Sequence, residues 1–427
     1  MGGKMVRTRG AAEPTPSLWQ NRDFLRLWFA QVISTAGTTV TGLALPITAI
    51  VLLHAGPGQL SLLSIAGFVP NLAFGLLAGV WIDRARRRPI LVGADLGRAL
   101  LLATVPLAAV FGVMTFAQLV AVAFAVGTLS ACSSLAAVAI LPAIVPREQL
   151  VAANSRLATV DAALALAAPT VAGGLIQLVG APRAIIADAL SYLGSALTLR
   201  RLRAVEGATP VGGRATVWRE MGAGLHELVR TPALRALTVA VSVGTFGTAM
   251  QAVVSVLFLV NDLHLAPVLL GLLGACGGAG SLLGAAGAGR ATRRLGVGPT
   301  IILGQLIWAA GALVAPLARP GPTLIPLVGA GFAIAGLGGA LWGVSQISLR
   351  QALTPQRLFA RATAARRLPM FGMQIAGAGL AGVLGSAIGQ RETLFLGGLG
   401  LVAATLLLAF SPIRAIRELD TDPVPIA

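Results

Sequence analysis

Long apolar runs separated by short polar breaks fill the chain from about residue 24 to about residue 411. A helix needs about 20 apolar residues to cross a ~30 Å hydrocarbon core. Twelve such runs can be placed, near 25–52, 60–82, 90–112, 117–141, 153–178, 183–200, 235–260, 267–288, 299–318, 323–349, 369–389 and 394–411. The predicted fold is therefore all-α and integral to the membrane. Twelve transmembrane helices form two pseudo-symmetric six-helix halves, 24–200 and 235–411, flanked by tails 1–23 and 412–427. A polar segment, 201–234, divides them. Within it Gly207 to Gly213 reads as a flexible linker, followed by Trp218, Met221, Leu225 and Leu228 on one helical face. Arg219, Glu220, Glu227 and Arg230 fall elsewhere, so this is an amphipathic helix that either tethers the halves or lies on the inner membrane surface.

Composition agrees: 56% of the 427 residues are hydrophobic and 11% charged, where a soluble protein carries about a quarter charged. The net charge of +17 does not point to nucleic acid, because the basic residues sit in short clusters between apolar runs, with no basic face. Those clusters orient the chain. With the N-terminus inside, all but four of the 32 Lys+Arg fall in inner segments, the exceptions being Arg98, Arg183, Arg319 and Arg391. Both termini are thus expected in the cytoplasm. Residues 1–16 lack the apolar core of a signal peptide, so no cleaved leader is expected.

Several chemistries are excluded. Lys4 is the sole lysine, which rules out a Walker A loop and a Schiff base. His54, His226 and His264 avoid the middles of the spans, so no metal site is expected, nor any cofactor. Cys132 and Cys276 lie in apolar runs as small packing residues. With no paired-acid or nucleophile motif, the chain does not read as an enzyme. Its preference for arginine over lysine suggests a GC-rich bacterium, and hence a multi-pass protein of the cell (inner) membrane.

The halves repeat. A shift of about 210 residues places Leu25-Arg26 on Leu234-Arg235, Thr35 and Thr38 on Thr245 and Thr248, and Val145-Pro146 on Thr354-Pro355. A similar shift places Arg87-Arg88 on Arg293-Arg294. Landmarks at nearly one offset argue for a duplicated six-span unit, the parallel-repeat architecture of transporters.

Acids inside spans are functional candidates by default. Asp95 and Arg98 stand at i and i+3 of the third span and can pair on one face, mainly as a structural ion pair near the inner end. Asp161 has no basic residue three or four positions away; removed from water it would either carry a proton or pair with Arg98 from another span. Asp188, near the outer end of the sixth span, reads as structural. Polar stripes recur in both halves: Gln31, Thr35, Thr38 and Thr41 in span 1, and Thr245, Thr248 and Gln251 in span 7. Span 4 adds Ser130, Ser133 and Ser134, and span 10 adds Trp342, Ser345 and Gln346. Any one of these could merely hydrogen-bond its own helix; the matched stripes of spans 1 and 7 favour a cavity. Gly75 and Gly79, Gly280 and Gly284, and Gly382, Gly385 and Gly389 permit close helix approach.

Between spans 2 and 3 the chain reads Gly79-Val-Trp-Ile-Asp83-Arg84-Ala-Arg86-Arg87-Arg88. The arginines mark the cytoplasmic side, and Asp83 can accept from a helix N-terminus or an arginine. This spacing resembles the signature loop of the major facilitator superfamily, with Arg86 where a glycine is usual. Asn21-Arg22-Asp23-Phe24, the stretch Leu141 to Leu150 and Asp188-Ala-Leu-Ser191-Tyr192 resemble the branch containing macrolide-efflux proteins and enterobactin exporters. The resemblance implies the major facilitator fold, a cavity lined by spans 1, 4, 7 and 10, and an inner gate locked by Asp83 against span 11, whose start is expected at Arg366, Arg367 and Pro369. It further implies a secondary transporter, proton-coupled and working as an efflux antiporter of a hydrophobic small molecule such as a drug, a macrolide-like compound or a siderophore. The expected partners are that substrate, protons and the lipid bilayer, with the chain a monomer and no nucleic acid involved. A lipid or lysophospholipid flippase of the same fold is the alternative; a non-transporting receptor or scaffold fits the mirrored stripes less well.

Overall fold

The computed structural model describes residues 18–82, 86–146, 149–203, 229–354 and 356–418. Within them twelve long helices follow one another: α1 (Arg22–Leu53), α2 (Pro57–Ile82), α3 (Arg87–Val110), α4 (Phe116–Ile144), α5 (Leu150–Val179), α6 (Ala181–Leu199), α7 (Pro232–Leu257), α8 (Pro267–Leu295), α9 (Val297–Ala312), α10 (Leu324–Leu353), α11 (Gln356–Ala387) and α12 (Gln390–Ala409). Ten of these are long and apolar enough to cross a membrane; α2 and α6 fall outside that set.

Local chemistry starts and stops them. The Asn21 side chain accepts from the backbone N–H groups of Asp23 and Phe24 and so caps α1, satisfying donors that the first turn would leave unpaired. Gly180 and Gly389, at φ +84° and +98°, each precede the next helix in a conformation that side chains disfavour, Gly180 alone between α5 and α6 and Gly389 after Ile388 between α11 and α12. They are equivalent positions, α5 to α6 and α11 to α12. The junction α8 to α9 uses Gly296 at φ +93°, whereas its counterpart Arg86 is extended at φ −67°, so the arginine there meets no steric conflict. One boundary departs widely from expectation. α11 starts at Gln356 and runs through Pro369, instead of starting there; a proline removes one backbone donor but does not end a well-packed helix.

The duplication is present in three dimensions. In the first half α1 packs on α5 and α6, α3 on α4 and α6, and α2 on α4. Adding six to each number yields the pairs of the second half: α7 on α11 and α12, α9 on α10 and α12, and α8 on α10.

The halves join along two seams related by the same rule, α5 on α8 and α2 on α11. Missing side chains let backbones meet. A methyl group at Gly173 would lie 2.6 Å from the Pro267 carbonyl, and one at Gly278 would lie 2.6 Å from Leu166 Cα. On the other seam a methyl at Gly382 would lie 2.5 Å from Ser61 Cβ, and the Ser61 hydroxyl donates to the Ala378 carbonyl at 2.7 Å. Gly280 and Gly284 instead press on α10 within their own half.

Both seams lie toward one end of the bundle. At the end carrying the chain termini, Asn21 donates to Ile144 (2.9 Å), Arg26 to the Arg201 carbonyl (2.6 Å) and the Arg203 N–H to Asp23 (3.1 Å), strapping α1, α4 and the exit of α6 together. There the cores are separate. Phe24, Leu91, Ile140 and Leu199 form one, and Leu237, Ile301, Leu349 and Leu408 form another. At the far end one cluster spans both halves, from Ala44 and Ile47 through Ile176, Val254 and Leu270 to Ala378 and Ala381. The described bundle is thus closed at the far end and parted at the termini end.

Candidate functional site

Residues 188, 191, 192 and 195 share one face of α6 by helical spacing, and all four are buried. That face packs on α1 and α3. The fit against α1 depends on Gly37, where any side chain would collide with the Asp188 carboxylate and the Ser191 hydroxyl. From α3, Asp95 and Arg98 form a buried ion pair. Arg98 also donates to Ser133 at 3.1 Å and to Ser130 at 3.3 Å on α4, and to the Tyr192 hydroxyl at 3.3 Å. Its guanidinium carbon stands 4.1 Å from the Tyr192 ring centre, a cation–π contact. The Tyr192 hydroxyl lies 2.8 Å from Thr38 Oγ1, and the Thr38 hydroxyl reaches the Ser34 carbonyl at 2.7 Å. Donors therefore run in one direction, from guanidinium to phenol to threonine to backbone.

This network forms the wall of a cavity of about 170 Å³ lined by Gln31, Ser34, Thr35, Thr38, Asp95, Arg98, Ser130, Ser133, Ser134 and Ser195, with Leu27, Ala30, Leu91, Ala137 and Leu199 on its termini side. The i, i+3 pairing of Asp95 with Arg98 expected from spacing is present. So is the convergence of Gln31, Thr35 and Thr38 with the α4 serines.

The second half holds a different cavity of about 220 Å³, bounded by Thr248, Gln251, Ser255, Phe258, Trp308 and Phe332 among others. Gln251 spans it structurally, donating to the carbonyls of Ala312 and Leu394, each at 3.1 Å. Thr245 bonds its own helix at Val241, and Ser345 does so at Leu341. Trp342 packs on Trp308 with ring centres 5.5 Å apart, and buried Gln346 accepts from Arg366 at 3.5 Å. These four residues line neither cavity, so the span 10 stripe reads as packing in this state.

Other expectations are redirected. Asp161 is exposed rather than buried. It sits one turn toward the termini end from Ala165, whose backbone meets Gly278, and so lies where the halves have parted. Asp188, expected as a structural residue near the outer end of its span, is deeply buried beside the Arg98 network. Gly79 lies in the last turn of α2, and Arg87 and Arg88 open α3, where Arg88 donates to the Arg200 carbonyl. Asp83 and Arg84 are outside the described residues, as is most of the 201–234 segment. The aromatic walls Trp308 and Phe332 were missed because they carry no charge or motif. Tyr192 had a usable signal: it is the single tyrosine, one turn from Asp188.

The profile of the transmembrane secretion effector family matches residues 15–425. No curated protein matches the sequence. Among solved structures, the chain is similar to a bacterial homologue of the iron transporter ferroportin in an inward-facing state (TM-score 0.76, 14% identity, covering 92% of this chain and 99% of that one). It is also similar to a nucleoside transporter (0.76, 11%, 91% and 99%). A third is a bacterial homologue of the human lysosomal transporter Spinster, inward-facing and unoccupied (0.66, 18%, 91% and 95%). At these identities the likeness concerns the fold, that of major facilitator transporters.

Proposed function

The chain belongs to the transmembrane secretion effector family, and from that premise we propose that it exports a lipophilic small molecule by alternating access, driven by protons. It is a membrane transporter of the major facilitator fold and not an enzyme. In this reading all twelve helices cross the membrane, since α2 and α6 occupy the packing positions of α8 and α12, which are apolar enough to do so. The termini lie in the cytoplasm, on the side that holds the arginine clusters. The state described is then open to the cytoplasm, with the far-end seams closed against the outside.

The observation that carries this reading is the division of the core, shared at one end and split at the other, with the polar cavity on the split side. Two rigid halves hinged on smooth glycine contacts can rock, exposing a central site to each side in turn. A molecule entering from the cytoplasm meets hydroxyls and an amide on the first half and aromatic surface on the second. Those walls suit an uncharged or weakly charged lipophile of the macrolide or siderophore kind. Efflux as the direction follows the family's description as a secretion effector. Asp161 is the coupling candidate on the moving surface. It is exposed on α5 in the state described, on the termini side of the α5–α8 seam. Asp95 and Arg98 are the candidates within the fixed frame. Asp83 is the candidate latch of the closed cytoplasmic end, by its place at the end of α2.

The deciding experiment is an efflux panel of lipophilic compounds in a bacterium lacking its own pumps, with and without a protonophore. Protonophore-sensitive export of at least one compound is expected. Uniform accumulation with or without the protein would reject the reading.

A further inference from the structure

Three charged side chains are fully buried in the described part of the chain: Asp95 at 2% exposure, Arg98 at 8% and Asp188 at 1%. Two carboxylates therefore share one guanidinium. Asp95 holds Arg98 in a direct ion pair, so Asp188 is the surplus acid. Among the described residues two hydroxyls face its carboxyl, Thr41 from α1 and Ser191 at 3.1 Å, and the Ser191 hydroxyl also points at the Asp188 backbone carbonyl at 2.8 Å. One hydroxyl proton cannot serve both fully.

Among the described residues, the elements packed around this face supply no second fully buried cation. α1 offers Gly37, Thr38 and Thr41, none of them charged. α3 offers Asp95 and Arg98 alone, and the α4 serines nearby are taken up by Arg98. On α5, Arg156 and Asp161 are exposed and line neither cavity. An ionised carboxylate left unpaired in apolar surroundings is so unfavourable that the group neutralises instead.

We infer that Asp188 is a proton-binding site, occupied in the state with the termini end parted, and that Arg98 decides which of the two carboxylates holds the proton. The geometry supplies the switch. Arg98 already bridges from Asp95 to Tyr192, one turn from Asp188, and Tyr192 passes the hydrogen-bond chain to Thr38 on α1. If the guanidinium turns from Asp95 to Asp188, the proton moves from the Asp188 carboxyl to the Asp95 carboxylate. Charge balances, and no other reactant is needed. Asp95 lines the first cavity and Asp188 does not, so Asp95 is the point of exchange with cavity water. Use of this proton to drive export rests on the reading above; occupancy of Asp188 does not.

The test is infrared spectroscopy of the full-length protein in lipid nanodiscs at neutral pH, reading the protonated-carboxyl band and its shift in heavy water. Wild type should show one such carboxyl. Asp188→Asn should abolish the band and Asp161→Asn should keep it. Asp95→Asn should also abolish it, because Arg98 is then free to pair with Asp188, an effect that a merely structural role would not produce. Arg98→Gln should raise the band about twofold. Should Asp188→Asn fail to fold, Asp188→Glu must keep the band at a shifted position. A wild type without the band, or a band that survives Asp188→Asn, would overturn the assignment. A band behaving as described in a protein whose export ignores protonophores would instead overturn proton coupling and leave the site standing.

Discussion

The two halves share a frame and differ in chemistry. Adding 210 to a residue number carries Gly37 onto Gly247, Asp95 onto Gln305, Arg98 onto Trp308 and Asp188 onto Gly398. In the first half the backbone at Gly37 presses on a carboxylate; in the second, Gly247 presses on the Gly397 carbonyl and on Gly400 Cα, 3.3 Å from where its methyl would be. The arginine that ties α3 to α4 through Ser133 has as its counterpart a tryptophan that meets Trp342 on α10. Identical packing with opposite content separates two demands. Matched seams of small residues are the repeated feature. Among the described residues the fully buried charged side chains lie in the first half and the aromatic cavity wall lies in the second, so under the proposed function coupling and substrate contact need not compete for the same side chains.

The sharpest way to break that contrast is to remove the charge. Arg98→Gln strands Asp95, and losing one member of a buried pair costs about 3–5 kcal/mol; a large fall in thermal unfolding midpoint and loss of transport are expected. Trp308→Phe at the equivalent position keeps an apolar body, and its midpoint should move far less, while export of bulky substrates declines. Equal losses in both variants would erase the division of labour.

Next in size is Asp161→Asn, expected to abolish gradient-driven efflux while leaving insertion and folding intact. Full efflux with unchanged pH dependence would remove this residue from the coupling path. The seams come third. Gly173→Val and Gly382→Val occupy equivalent places on α5 and α11, and each overpacks the closed far end by about 1–3 kcal/mol. Both should favour the opposite state by roughly 5- to 150-fold, read as protection of cysteines placed at the termini end. A response from one variant alone would break the symmetry between the seams. Asp83→Asn should have the smallest effect. In the second half's copy of the loop motif, aligned on Arg293-Arg294, Gly289 stands where the acid would be, so only one half carries this latch, and its loss should modestly raise labelling of a cysteine near Gly372 from the cytoplasmic side. An unchanged pattern would reduce that loop to a topology signal.

The frame was legible because it is written in local terms. Apolar length located the helices, arginine placement proposed their direction, and a constant offset exposed the duplication. Asp95 and Arg98 were legible as a pair because i and i+3 share a face. What depended on rotation or on state was not. The burial of Asp188 follows from Gly37 on a helix about 150 residues earlier, a relation that no local spacing encodes. Asp161 was expected to be dry from its depth along α5, but it stands where the halves have separated. Pro369 resembled a helix start and lies inside α11, which packs on α2 and α7 and continues across the lost hydrogen bond.

The most direct test of the rocking account is a pair of spin-label distances in protein whose native Cys132 and Cys276 are replaced by serine. One pair, at Asn154 on α5 and Gly289 on α8, spans the parted end; the other, at Leu178 and Val268, spans the closed end. Measured in nanodiscs across pH, or with and without an exported compound, the account predicts anticorrelated changes, the first distance shortening as the second lengthens. Distances that move together, or a first pair that never shortens under any condition, would contradict it.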